Sequence, residues 1–219
     1  MPSVHDTAYP RLKAAVTVRD LAEVYTPTPE EQTLATTLTP SVTSQVGFLI
    51  VLKTFQRLGY VVPVQAVPPP IVDHIATHVG TVVSPQEIHA YDTSGTRRRH
   101  MAATRSHLAI HPDDHAPQQL LETVLCEAAQ TKDDLVDLIH IGIEELIRQR
   151  YELPGFTTLR RTAQHARAAV NRILFQQVAT ALETAGTPLV NQLLQVDTAS
   201  RPAPWNRLKA APGRPTLTQ

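Results

Sequence analysis

A stretch of basic and amide side chains between residues 148 and 174 has the chemistry of a nucleic-acid contact. It reads RQRYELPGFTTLRRTAQHARAAVNRIL: one predicted helix ends in arginines, a Leu-Pro-Gly turn follows, and Thr157 can cap a second helix. Arginine neutralises phosphates and reads guanine, Asn and Gln read adenine, and threonine at a helix start can bind phosphate. The candidate DNA-binding side chains here are Thr157, Thr158, Arg160, Arg161, Gln164, Arg167, Asn171 and Arg172.

The same helix has an apolar side that would hold it against a core. The apolar stripe consists of Leu159, Ala163, Ala166, Val170 and Ile173. The remaining arc is basic plus amide and contains no acid. A helix, a turn and a second helix commonly present such a face to a major groove, although this connection is longer than a strict helix-turn-helix allows. We therefore predict a helix-turn-helix-like element, and a solvated surface helix is the alternative.

A second basic block begins at Thr96 and reads TRRRH. Arg98 and Arg105 share one face of the predicted helix, so that two guanidinium groups could straddle a run of phosphates. Arg97, Arg98 and Arg105 are therefore added to the candidate DNA-binding residues. The alternative is a solvated helix whose arginines pair with the acidic segment that follows.

Two further patterns could hold metal ions. Asp133, Asp137 and Glu144 share a helical face, and paired carboxylates can bind two metals in a nuclease. His74 and His78 stand four residues apart, but zinc requires three or four ligands with a supporting shell. A solvated acidic face explains the carboxylates, and we predict no metal, no cofactor and no catalytic residue. A metal-dependent hydrolase remains an alternative that elemental analysis would detect.

The elements that carry these residues are predicted to be all-α. The motifs Thr28-Pro29-Glu30-Glu31 and Ser84-Pro85-Gln86-Glu87 are helix starts, and Gly59, Gly80 and Gly186 are positioned as left-handed helix ends. No period-2 alternation is sustained. The predicted helices are 17–24, 29–37, 42–58, 69–79, 85–91, 96–108, 117–130, 132–150, 158–185 and 188–195.

Composition bounds the class of protein. The 219 residues are 42% hydrophobic and 18% charged, with 20 basic and 20 acidic side chains, which excludes a histone-like binder and a charged disordered tail. Charge is nevertheless segregated: residues 109–147 carry one basic and nine acidic side chains, whereas residues 148–175 carry six basic and one acidic.

A lone cysteine forbids an intrachain disulfide, and the longest apolar run, Val46 to Leu52, cannot cross a bilayer. We expect a cytoplasmic protein without membrane contact.

Polar, proline-containing segments suggest how the chain is divided. The segment HPDDHAP after Ile110 is the best internal boundary, and the proline-rich tail from Arg201 is typical of a linker. The predicted parts are an N-terminal arm at 1–16, a first helical subdomain at 17–111, a second at 117–198 that contains the helix-turn-helix-like element, and a linker to a missing downstream domain at 199–219.

Several short motifs together resemble the N-terminal region of the Tn-three-type transposases, the replicative class of bacterial transposon enzymes. Gln45-Val46-Gly47-Phe48 resembles the family's "LGFAxQL" helix, and Pro68-Pro69-Pro70-Ile71-Val72 resembles "PPxxVxxxAxxLG". The segment at 96–101 resembles "TRxEHL", with Arg99 in place of the usual Glu. The segment at 153–159 resembles "LPGxTTLxRL", and the tail at 207–215 is similar to "LKxxPGxPS".

The resemblance implies a helical DNA-binding region that holds the terminal inverted repeats of a transposon. The Asp, Asp and Glu that catalyse transposition lie in a distant domain of that family, so we expect this chain not to be an enzyme on its own. Double-stranded DNA is the expected partner, and self-association is expected through a full-length transposase. We expect the 157–172 helix to be one base reader and the 97–105 helix to make phosphate contacts or a second base contact. The alternative is a non-catalytic helical protein-interaction or regulatory module.

Overall fold

The computed structural model describes residues 3–13, 15–111 and 115–195, and over these residues the chain is all-α, as predicted. The α-helices of the described residues are α1 (Val18–Asp20), α2 (Pro29–Leu38), α3 (Val42–Leu58), α4 (Pro69–Val79), α5 (Pro85–Asp92), α6 (Gly95–His107), α7 (His115–Ala128), α8 (Leu135–Arg148), α9 (Phe156–Ala185) and α10 (Thr187–Leu194). Within the described part of the chain there is no β-strand. The predicted linker at 199–219 lies outside the described residues.

The predicted bounds of α2 to α10 agree with the structure to within three residues at each end. The first helix differs from its prediction in type: α1 has only three α-helical residues and continues as a π-helical turn over Leu21–Tyr25. The helices form two compact units, one reaching Arg167 and the other beginning at Ala168. The bounds of α9 extend from the first unit into the second.

Side-chain caps explain why several helices begin where they do. The Thr28 hydroxyl accepts a hydrogen bond from the N–H of Glu31, whose carboxylate accepts one from the N–H of Thr28, and Ser84 and Glu87 repeat this arrangement. Each pair satisfies two backbone donors that the helix itself leaves unpaired. Both predicted helix starts are confirmed.

Glycine closes two helices in the left-handed conformation. Gly59 has φ of 76° and Gly80 has φ of 78°, which side chains with a Cβ adopt only with strain. The same prediction for Gly186 was wrong, because its φ is −140°. Thr187 and Pro188 start α10 directly after it, so the chain needs no left-handed residue to end α9 there.

The core of the first unit is built around α3. Every residue from Val46 to Phe55 is buried, so this helix is covered on all sides rather than along one stripe. The helices α2, α4, α5 and α6 pack against it, with the π-helical turn completing the shell. Its position as the central helix follows from its apolar sequence.

A second apolar cluster in the first unit joins α7, α8 and the start of α9. The apolar side of α8 is buried and includes Leu135, Leu138, Ile139, Gly142 and Leu146. Gly142 lets its neighbours approach closely, since a Cβ there would lie 2.8 Å from Leu121 of α7 and 3.3 Å from Leu159 of α9. This cluster fixes the first turns of α9.

The loop before α9 is pinned to the end of α3. The N–H of Leu153 donates to the carbonyl of Gly59 at 2.8 Å, and the Glu152 carboxylate accepts from the N–H of Val61 at 3.3 Å. The N-terminal arm adds a second anchor, because the Tyr9 hydroxyl donates to the carbonyl of Pro154 at 2.9 Å. These bonds set where α9 begins.

Candidate nucleic-acid interface

The start of α9 is fixed by Gly155 and Phe156. The carbonyl of Gly155 accepts hydrogen bonds from Thr158 and Leu159, so Gly155 occupies the N-cap position. The prediction that Thr157 caps this helix was therefore wrong, and Thr157 lies in the first turn. The physical reason is that the Phe156 ring is anchored edge-on against Tyr9, with centroids 5.5 Å apart, which extends the helix back by two residues.

Within the first unit, α9 presents its polar side chains in two rows that differ in exposure. The outward row is exposed and consists of Thr157, Thr158, Arg161 and His165, and the flanking row is half-buried and consists of Arg160, Gln164 and Arg167. Leu159, Ala163 and Ala166 are buried on the opposite side, as predicted. The outward row is therefore the one that an external ligand meets first.

The two arginines of the flanking row are engaged within the chain. The Arg160 guanidinium lies 5.9 Å from the centroid of the Phe156 ring, and its Nε is buried without a hydrogen-bond partner. Arg167 Nη1 donates to the carbonyl of Asp133 at 3.1 Å. By contrast, the Arg161 guanidinium makes no ion pair or hydrogen bond with any described residue.

Sequence analysis did not include His165 among the candidate residues. It lies four residues after Arg161, one helical turn further along the outward row. Helical periodicity could have identified the exposed row from the sequence. At 100° per residue Arg161 lies almost opposite Leu159 and Ala163, whereas Arg160 and Arg167 lie nearer to the apolar stripe. Position relative to the centre of the stripe, rather than charge alone, separates exposed from flanking side chains.

The remaining α9 candidates belong to the second unit. Asn171 is half-buried and Arg172 is exposed. Ile173, predicted as part of the apolar stripe, is 56% exposed. The core-facing pattern therefore does not continue to the end of the predicted stripe.

Arg97 of α6 is held within the first unit. Its Nε lies 2.9 Å from the Asp92 carboxylate, and its Nη2 donates to the carbonyl of Val62 at 3.2 Å. Asp92 in turn accepts hydrogen bonds from the N–H groups of Val64 and Gln65. Arg97 thus ties the start of α6 to the loop after α3.

The neighbouring arginines are exposed. Arg98 makes no ion pair or hydrogen bond with the described residues, and Arg99 donates only to the hydroxyl of Thr96, at 3.0 Å. The next residue, His100, points into the core, where its Nδ1 shares a hydrogen bond of 2.9 Å with the Tyr91 hydroxyl. Burial, with a smaller contribution from Arg99, lowers the pKa of His100, so that the ring is neutral near pH 7. The motif therefore combines one structural histidine with two outward guanidiniums.

Arg105 is also engaged within the chain. Its Nε donates to the Glu152 carboxylate at 2.8 Å, and the two side chains are only 26% and 17% exposed. Since Glu152 belongs to the loop before α9, this ion pair links α6 to the start of α9. Of the α6 candidates, Arg98 is the exposed one.

Replacement of Arg105 by Gln is expected to lower the free energy of unfolding by about 1–2 kcal/mol, because Glu152 loses its charged donor in a partly buried site. Chemical denaturation measures this. Arg98→Gln is the matched control: the same change on the same helix should alter stability by less than about 0.5 kcal/mol. Equal stability of the two variants would contradict a structural role for Arg105.

The candidate metal ligands do not come together. Within residues 3–13, 15–111 and 115–195, no three His, Cys, Asp or Glu side chains are grouped as a metal site. The rings of His74 and His78 are 4.4 Å apart, and Nε2 of His74 is hydrogen-bonded to the Thr26 hydroxyl at 2.9 Å. Asp137 and Glu144 are exposed on α8, and Asp133 is exposed in the segment before this helix. None of the described helices is long and apolar enough to cross a bilayer.

Comparison with known proteins gives the class of this all-α domain. The chain belongs to the family described as "Domain of unknown function (DUF4158)", whose model matches residues 2–166. It is also similar to the transposase for transposon Tn1546 of Enterococcus faecium, with 24% identity over 180 residues. That alignment covers 79% of this chain and 18% of the relative. The chain is thus a transposase-related domain that spans about a fifth of the length of the curated relative it matches.

Proposed function

We propose that this domain binds double-stranded DNA at the terminal inverted repeats of a transposon, as the N-terminal recognition part of a Tn-three-type transposase. The observation that carries the proposal is the outward row of α9, in which Thr157, Thr158, Arg161 and His165 are all exposed. The row contains a cation, a histidine and two hydroxyls at the N-terminal end of a helix, and no acid. Similarity to the Tn1546 transposase supports DNA as the partner.

The chemistry of this row matches the two kinds of contact that DNA offers. The free N–H groups and positive dipole end of α9 favour a phosphate near Thr157 and Thr158. Arg161, one turn further on, has the donors to read guanine in a major groove. In this proposal Arg161 rather than Arg160 or Arg167 is the base reader, because the other two are already engaged within the chain.

The exposed arginines of α6 would add contacts to the backbone of DNA. Arg98 and Arg99 are free of acidic partners among the described residues, and each phosphate contact releases counterions. Arg97 and Arg105 act instead as positioning residues, because they hold α6 and the loop before α9 in place. Strand cutting and joining would belong to another part of a transposase.

The test is a fluorescence-anisotropy titration of the whole chain against the terminal inverted repeat of its own element and a scrambled duplex, at two salt concentrations. The expected preference for the repeat is roughly a thousandfold or more. Arg161→Ala should weaken binding to the repeat by about 10- to 100-fold and hardly change binding to the scrambled duplex. Arg98→Ala should weaken both equally and reduce the salt dependence by about one counterion.

Arg19→Ala is the matched control, since it also removes one positive charge, from an exposed ion pair between Arg19 of α1 and Glu23 of the π-helical turn. The affinity of this variant for the repeat and for the scrambled duplex should fall only by the amount expected from the loss of one positive charge. Weak binding without preference, abolished by salt, would contradict sequence recognition by this chain. Equal losses from Arg161→Ala and Arg19→Ala would contradict the assignment of the α9 row.

The alternative function, a helical protein-interaction module, is favoured by one specific observation. Large apolar side chains are exposed on the part of α9 that belongs to the second unit, including Phe175 at 72%. This surface is separate in chemistry from the basic row, and the two functions are compatible.

A further inference from the structure

Two helices of the first unit end in a left-handed residue that is not glycine. Ala109 after α6 has φ of 51°, and Arg150 after α8 has φ of 56°. At the equivalent ends of α3 and α4 the chain has Gly59 and Gly80. Because a Cβ makes this conformation unfavourable, Arg150 occupies a position that glycine would fit better.

The backbone of Arg150 is fixed by hydrogen bonds on both sides. Its N–H donates to the carbonyl of Ile147 at 3.0 Å, and the N–H of Tyr151 donates to the carbonyl of Leu146 at 2.9 Å, which is the bond pair of a Schellman helix end. The carbonyl of Arg150 accepts from the N–H of His111 at 2.9 Å, which joins the end of α8 to the end of α6. Two helices therefore hold the backbone that presents this cation.

The side chain of Arg150 takes no part in holding this junction. It is exposed, and its guanidinium makes no ion pair or hydrogen bond with any described residue. The neighbouring arginines are paired, Arg148 with Glu145 at 2.6 Å and Arg105 with Glu152 at 2.8 Å. Backbone strain that no internal contact explains is typical of functional positions.

The place of Arg150 continues the surface of α6 that is proposed to contact the backbone of DNA. Arg98 and Arg105 stand seven residues apart and so share one face of α6. Since Arg105 is paired with Glu152, the loop that contains Arg150 lies against the C-terminal end of that face. At a rise of 1.5 Å per residue, Arg98 is about 15 Å from the end of α6, and the phosphates of one DNA strand advance about 3.4 Å per nucleotide. The spacing therefore suits phosphates about four or five nucleotides apart.

We propose that Arg150 binds a backbone phosphate of the DNA, as a contact made by the loop between α8 and α9 that is equal for all sequences. This contact rests on the DNA binding proposed above and adds a residue from outside its two basic helices. A guanidinium offers donors in a planar fork that matches a phosphate. Such a contact positions the protein on the duplex without reading bases.

The experiment compares glycine variants of the whole chain, because glycine removes the Arg150 cation and relieves its backbone at the same time. Arg150→Gly and its matched control Ala109→Gly should each raise the thermal midpoint by roughly 1–4 °C. In anisotropy titrations over a series of salt concentrations, Arg150→Gly should weaken binding to the terminal repeat and to a scrambled duplex alike, by about three- to tenfold. It should also lower the salt slope by about one. Ala109→Gly should leave both affinities and the slope as in the wild type.

A second control separates a local contact from net charge. Arg148→Gln removes a positive charge two residues away, from the ion pair with Glu145, and should leave the salt slope unchanged. A slope for Arg150→Gly equal to that of either control would overturn the proposal. Asp113 and Asp114 follow His111 in the sequence. Neutralisation of Arg150 by either acid would make Arg150→Gly lower the thermal midpoint without changing the slope, and that result would overturn the proposal too.

The wild-type chain tests the proposed function separately. Binding of both duplexes without preference would contradict recognition of the repeat, while a lowered slope for Arg150→Gly would still support the phosphate contact. A wild-type chain that binds neither duplex would overturn both proposals.

Discussion

Replacement of Glu31 by alanine is expected to lower the free energy of unfolding by about 3–5 kcal/mol, because it leaves a buried ammonium group without its counter-ion. The side chains of Lys53 and Glu31 are only 8% and 6% exposed, and Nζ lies 3.2 Å from the carboxylate. Gln56 also donates to this carboxylate at 2.7 Å. The loss should be measured by chemical denaturation at neutral pH.

Glu30→Ala is the matched control for this prediction, since Glu30 is the exposed neighbour in the first turn of α2. It should cost less than about 1 kcal/mol, the contribution of an acid near a helix N-terminus. The double variant Glu31→Leu, Lys53→Met should recover much of the loss, because removal of both charges leaves nothing buried and unpaired. A single Glu31 variant as stable as the Glu30 variant would show that the pair does not hold α2 against α3.

The same carboxylate gives stability a predictable pH dependence. Burial raises the pKa of Glu31, but hydrogen bonds from Thr28, Gln56 and Lys53 outweigh it, and the net pKa lies below the ordinary value of 4.5. Because the folded-state pKa is lowered, this contribution is present above pH 4.5 and is lost as the pH falls through the folded-state pKa. The difference in stability between the wild type and Glu31→Gln should therefore shrink in acid.

The existence of the helices could be predicted from the sequence because their signals are local. The motif Thr28-Pro29-Glu30-Glu31 contains its own cap, and Gly59 ends α3 by its own conformational freedom. Neither depends on distant residues. Gly186 shows the limit of such signals, because a glycine at a helix end does not by itself determine the sign of φ.

The partners of the candidate arginines could not be predicted, because they are distant in sequence. Arg105 pairs with Glu152, 47 residues away, and Arg167 donates to Asp133, 34 residues away. A basic helix with these contacts has the same sequence pattern as one whose arginines all face DNA. Charge therefore identifies the basic helices, while the tertiary structure determines which guanidiniums remain available.

Helix α6 carries both side chains that stabilise the fold and a side chain that is exposed to solvent. His100 and Thr104 face the core, Arg97 and Arg105 hold neighbouring loops, and Arg98 is left outward. Because the loop before α9 is held by Arg105, a change in α6 can displace the outward row of α9 indirectly. Binding data on α6 variants therefore need a stability measurement beside them.

Replacement of Gly47 by alanine is expected to lower the free energy of unfolding by about 1–3 kcal/mol, despite the higher helix propensity of alanine, worth about 1 kcal/mol. A Cβ at this position would lie 2.6 Å from the ring of Tyr91, which is buried and cannot turn into solvent. To make room, the ring must shift and stretch its hydrogen bond to His100. The cost is therefore both steric and polar.

Gly95→Ala is the matched control, because Gly95 is also helical and a Cβ there would meet nothing within 4 Å. It should be neutral or stabilise the chain by up to about 1 kcal/mol, so that only Gly47→Ala lowers the thermal midpoint. If Gly47→Ala were instead as stable as Gly95→Ala, the close approach of α3 to the Tyr91 ring would be wrong. The "LGF"-like motif at Gly47 would then need an explanation other than packing, whereas the expected loss makes it a structural contact between α3 and α5.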